Sequence, residues 1–127
     1  MYDSMQDSYN QLKENRELLK KLIKSLQTHN RKLAQAEFEY RKTLTSTCFM
    51  LKSEGYEGEI DGEHIEVGET AWTVTTTLAR GIPEVAEKRL ERDTVEGEKE
   101  AIKQKIYQTK IEIDLLTKEM EAIRRGE

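Results

Sequence analysis

Seven carboxylates fall between Glu54 and Ala79 with no Lys or Arg among them. A run of closely spaced carboxylates is first of all a candidate cation site. Glu57, Glu59, Asp61 and Gly62 fit loop positions 1, 3, 5 and 6 of a calcium hand, where oxygen ligands and a sharp glycine turn are required. The pattern then fails. His64 takes position 8, where an apolar residue is usual, and Gly68 takes position 12, where a bidentate Glu is needed. Glu69 comes one place late, and position 1 holds Glu rather than Asp. The favoured reading is an acidic, solvated hairpin. The alternative is a surface that presents negative charge to a basic partner, as a nucleic-acid-binding protein would offer. Glu57, Glu59, Asp61, Glu63 and Glu66, with Arg80 beyond them, are then the candidate contact residues.

Other chemistry finds less support. His29 and His64 are the only histidines and lack i,i+4 ligand spacing; one cysteine cannot complete a zinc set. His29 is expected on the solvated flank of a helix. Cys48, beside Phe49 and Met50, reads as a small core residue, since nothing nearby marks an activated thiol. No serine or threonine pairs with a base. The glycines of 55–68 sit among carboxylates that repel phosphate. The expectation is no enzyme, no cofactor and no metal. Lys13, Arg16, Lys20, Lys21, Lys24, Arg31, Lys32, Arg41 and Lys42 make the first third basic, which keeps DNA binding open. They spread around the helix, however, with no aromatic stacking platform evident between them.

The elements that position these residues follow from composition. Of 127 residues, 36% are charged and 35% apolar, with only two Phe and one Trp. Abundant Ala, Glu, Lys, Leu and Arg are the signature of long helices and coiled coils. Residues 1–53 carry net +4, 54–79 net −7 and 80–127 net −1. That pattern divides the chain into a long N-terminal coiled-coil helix (1–54), an acidic connector with a short β-hairpin (55–82) and a long C-terminal helix (83–127). The N-terminal residues Met1 to Met5 lack a basic, then apolar, leader, and no apolar run exceeds four residues, so a cytoplasmic chain with no membrane contact is expected.

In the first segment Met5, Leu12, Leu19, Leu26, Leu33, Tyr40 and Thr47 form one heptad row, and Tyr9, Arg16, Ile23, Asn30, Glu37, Leu44 and Leu51 the other. This is an a/d seam. Leu12, Leu19, Ile23, Leu26, Asn30 and Leu33 are its expected homodimer contacts. Asn30 would pair across a twofold axis, whereas Arg16 and Glu37 weaken the seam. Leu18 and Leu22 widen the apolar face, so a second helix should lie alongside. The helix should stop near Gly55, after about 75 Å. Asp61-Gly62 between spaced apolar residues predicts a hairpin over about 56–68. Residues 72–77 are β-branched and fit either a third strand or a short helix ending at Gly81. Pro83 suits the first residue of the last helix. Its stripe is Val95, Ile102, Ile106, Thr109, Ile113, Leu116, Met120 and Ile123. Gly97 interrupts it, at a bend or a close crossing. The fold class is mostly α: two long helices in an antiparallel hairpin or coiled coil, with a small acidic β-hairpin or loop at the joint.

Tyr40-Arg41, Leu51-Lys52-Ser53-Glu54-Gly55 and Leu78-Ala79-Arg80-Gly81, with Val85-Ala86 and Arg92-Asp93, resemble a family of small helical coiled-coil proteins of unassigned function encoded by tailed phages of Gram-positive bacteria. Tyr56 to Glu69 looks inserted relative to shorter members. The resemblance implies a phage origin, often among early or replication-region genes, and no reaction. The functional expectation is a non-enzymatic phage interaction protein, homodimeric, that binds a bacterial or phage protein in the host cytoplasm and modulates it. Inhibition of a defence nuclease is the sharpest version. The alternative is a replication or recombination accessory that binds DNA through the basic N-terminal helix.

Overall fold

The computed structural model describes residues 5–54, 57–60, 62–66 and 71–126. The elements run α1 (Met5–Glu54), β1 (Glu57–Ile60), β2 (Glu63–Glu66), α2 (Trp72–Arg80) and α3 (Pro83–Arg124). The fold is mostly α, with the two long helices packed against each other and one two-stranded antiparallel hairpin between them in sequence. The expected cap at Gly55 lies outside the described residues. The chain divides across these helices into two compact units, a terminal one of Met1–Asn30 with Gly97–Glu127, and a central one of Arg31–Glu96.

In the terminal unit α1 and α3 run antiparallel. Met5, Leu12 and Arg16 share a groove with Thr117, Met120 and Arg124, while His29 Nε2 lies 3.5 Å from Glu98 Oε2. From Ile102 to Met120 the α3 stripe is as expected, with Ile106, Thr109 and Leu116 buried and Ile102, Ile113 and Met120 half-buried; Ile123, its expected last member, is 38% exposed in the final turn of the helix. On α1 the leucine row faces inward, with Leu12 buried and Leu19 and Leu26 half-buried. The second inward row, however, lies one residue earlier than expected. Ser8, Asn15, Leu22 and His29 are buried or half-buried, whereas Tyr9, Arg16, Ile23 and Asn30 are exposed. With the leucines fixed, either neighbouring row can close the seam. The earlier one avoids burying the Arg16 guanidinium, whose desolvation is costly. His29 is thereby drawn into the seam rather than left on the solvated flank. Its side chain is 15% exposed, and its Nδ1 lies 2.9 Å from the Ser25 carbonyl.

In the central unit the α1 seam shifts to the later row. Glu37 and Leu44 are half-buried and Leu51 is 1% exposed. The shift has the direction set by 3.6 residues per turn, which drifts about 20° per heptad against a strict seven-residue repeat. The core is Cys48, Leu51 and Ala79, with Leu44, Leu78 and Ile82 packed on it. Val85 and Thr75 are fully buried. Burying a leucine or valine completely stabilises by roughly 1.5–3 kcal/mol, so Leu51 and Val85 are principal anchors of this unit. Cys48 is a core residue, as its neighbours suggested, with Sγ 3.9 Å from Thr76 Oγ1.

The open choice at residues 72–77 resolves as helix. Three threonine hydroxyls donate to carbonyls four residues back: Thr75 to Ala71, Thr76 to Trp72 and Thr77 to Thr73. These bonds satisfy the hydroxyls within the helix but slightly weaken it, so burial has to hold α2 in place. Thr75 and Ala79, four apart, supply the buried face. Gly81 ends α2 at φ −81°, a conformation open to any residue; its N–H donates to the Leu78 carbonyl and the Ile82 N–H to the Ala79 carbonyl. Pro83 opens α3 one residue after Ile82, whose carbonyl accepts from Ala86 N–H.

Candidate partner-binding surface

The hairpin register pairs Glu57 with Glu66, Gly58 with Ile65, Glu59 with His64 and Ile60 with Glu63. Gly62 sits in the connecting turn at φ +83°, the left-handed region that glycine enters without a Cβ penalty. An isolated two-stranded hairpin is marginal in water. Here β1 lies against α2, and α2 is seated in the core of the unit through Thr75 and Ala79. Glu59, Glu63 and His64 are exposed. Asp61 lies outside the described residues. Of the residues assigned from sequence, the structure therefore brings Glu57, Glu59, Glu63 and Glu66 onto one supported hairpin.

Arg80 is exposed in the last turn of α2. Asp93 is engaged by its chain neighbour, Arg92. Arg92 donates from Nε and Nη2 to Asp93 Oδ1 at 3.1 and 2.9 Å. Arg92 Nε also lies 3.7 Å from Glu37 Oε1, and its guanidinium carbon sits 4.5 Å from the centre of the buried Tyr40 ring. The Asp93 hydrogen bond, together with the Asp93 and Glu37 charges, raises the Arg92 pKa above its ordinary value. Arg92 therefore stays cationic wherever the protein is folded. Glu37, a poor residue for a coiled-coil seam, is stabilised there by Arg92 and by Arg41 at 3.1 Å.

No family model, curated protein or solved structure matches this chain. Among the described residues no group of three or more His, Cys, Asp or Glu is placed to hold a metal ion. No helix among them is long and apolar enough to cross a membrane.

The expected dimer residues separate into two sets. Leu12, Leu19, Leu26 and Leu33 are buried or half-buried within a single chain, whereas Ile23 and Asn30 are exposed. Phe38, Phe49 and Trp72 stand 59%, 60% and 49% exposed in the central unit. Phe49 meets Trp72 edge to face, with ring centres 5.3 Å apart, and Lys52 Nζ lies 5.2 Å from the indole centre. The sequence does carry the signal, because Phe38 and Phe49 fall outside both heptad rows. An aromatic off the seam of an amphipathic helix has to face solvent or a partner.

Proposed function

We propose that the chain is a non-enzymatic, homodimeric interaction protein, phage-encoded as the family resemblance implies, that binds a bacterial protein in the host cytoplasm and modulates it. Inhibition of a nucleic-acid-handling partner such as a defence nuclease is the form that fits best. The observation that carries this reading is the hairpin: exposed Glu59 and Glu63 displayed on paired strands whose first strand rests on α2. Fixed carboxylates on a backed surface suit a basic partner surface. Complementary charge of this kind raises association rates and selects partners more than it adds raw affinity. The contact set is Glu57, Glu59, Asp61, Glu63 and Glu66, with Arg80 at the end of α2. The test is capture of partners from bacterial lysate with wild type and with Glu57, Glu59, Asp61 and Glu63 each changed to Gln. Loss of a nucleic-acid-binding protein from the variant's captured set is expected. Identical sets for the two baits would remove the hairpin from the mechanism.

A further inference from the structure

We propose that the outward face of α1 in the Arg31–Glu96 unit binds single-stranded nucleic acid, with bases stacking on Phe38 and Phe49 and phosphates held by Arg31, Arg41, Lys42 and Lys52. At 100° per residue these six side chains fall within an arc of about 100° on the side of α1 away from Leu44 and Leu51. No carboxylate falls inside that arc. Glu37 lies at its edge, with its carboxylate directed to Arg41 and Arg92. Arg41 keeps 78% of its side chain exposed despite that pair, Arg31 and Lys42 are exposed, and Lys52 is half-buried with its Nζ 5.2 Å from the Trp72 ring centre. A groove beside Phe38 is lined by Ala34, Glu37, Arg41, Lys42, Thr45 and Ser46, with Glu37 paired to Arg41 at 3.1 Å. Trp72 extends the aromatic surface at the Phe49 end.

The arrangement selects its occupant. Phe38 and Phe49 are eleven residues apart, about 16 Å along the helix axis, so they do not merge into one apolar patch of the kind a protein anchor needs. Flat rings flanked by cations, Phe38 on its own and Phe49 edge to face with Trp72, match a strand whose bases each offer a π-face and whose backbone offers a phosphate at every step. A second copy of the chain would bring the same cations against themselves. An acidic protein segment would satisfy the charges and leave the two separated rings with nothing to cover them.

Fluorescence anisotropy with labelled oligothymidine and oligouridine of about 20 nucleotides tests this, and comparing the two separates DNA from RNA as the source of the shared chemistry. Binding to at least one is expected, with a log–log salt slope of about −2 to −3 from three or four phosphate contacts. Phe38→Ala and Phe49→Ala should each weaken it about five-fold or more. Phe38 is exposed, so Phe38→Ala should leave the thermal melt unchanged, whereas Phe49→Ala also loses the Trp72 contact and is read beside its own melt; Lys42→Glu gives an independent loss through charge. Glu59→Gln with Glu63→Gln should leave nucleic-acid binding no weaker, which separates this face from the hairpin. No binding at low salt, affinity unchanged by both Phe substitutions, equal affinity for duplex, or equal competition by polyglutamate would each overturn the proposal.

Discussion

Two buried polar side chains set the balance of the terminal unit. Ser8 Oγ and Asn15 Nδ2 are shielded from solvent with no hydrogen-bond partner among the described residues; Asn15 Oδ1 accepts a long 3.4 Å bond from Gln11. An unsatisfied buried hydroxyl costs about 1–3 kcal/mol, so deleting it removes a penalty and no bond. Ser8→Ala is therefore expected to raise stability by about 1 kcal/mol, read as a higher urea midpoint at unchanged m-value. A lower midpoint would mean that the hydroxyl is in fact satisfied. Arg92 is the opposite case, because its guanidinium meets two carboxylates and a ring. Arg92→Lys keeps the charge but loses the planar contact with Tyr40 and the two-nitrogen grip on Asp93. A loss of about 1 kcal/mol is expected. A pKa raised on folding contributes stability that is complete below the unfolded value and lost only as pH rises through the folded one. For Arg92 that window lies at strongly alkaline pH, so its contribution should be flat from about pH 5 to 9.

At the level of elements, much is legible because local chemistry and tertiary packing agree. Pro83 at the start of α3, the stripe from Ile102 to Met120 and the turn at Gly62 each carry a backbone or spacing requirement that context does not override. Residues 72–77 are ambiguous in sequence because strand propensity mostly measures packing, and here the burial of Thr75 and Ala79 in the core with Leu51 favours helix. The row chosen by α1 is not legible from spacing, which cannot separate the rows of Asn15 and Arg16; the cost of burying a guanidinium does. The two glycines also part company. A Cβ at Gly97 would meet nothing within 4 Å, so no close crossing in the chain requires glycine there. Gly97→Ala should stabilise α3 by about 0.5–1 kcal/mol, seen as a raised melting temperature. Gly62 at φ +83° differs, because an L side chain is strained there whatever the space. Gly62→Ala should cost the hairpin about 1 kcal/mol and, if the hairpin carries the partner contact, weaken capture as well.

For the whole molecule the remaining question is what the exposed half of the α1 heptad pattern does. The hairpin carboxylates are readable in the sequence as a charge block; the α1 dimer contacts are not, because a leucine row cannot announce whether its partner lies in the same chain. The structure places Leu12, Leu19, Leu26 and Leu33 inward against the chain's own packing. A homodimer, if formed as we propose, must therefore use what this leaves outside. The strongest candidate is the row of Tyr9, Arg16 and Ile23, with Tyr9 49% and Ile23 41% exposed beside Leu12 and Leu19 in a shallow groove. Lys13, Arg16 and Lys20 border that groove, with Glu17. Such a contact is small and flanked mostly by cations, so it should be weak and should strengthen with salt as like charges are screened. Light scattering at micromolar concentration should then give close to twice 14.8 kDa at high salt and a lower average mass at low salt. Ile23→Glu with Tyr9→Glu should hold the chain at 14.8 kDa without lowering its melting temperature, since neither side chain belongs to the in-chain seam. Leu19→Ala should instead lower the melting temperature. A monomer at every salt concentration would remove self-association from the mechanism and leave the hairpin and the α1 face to act from a single chain.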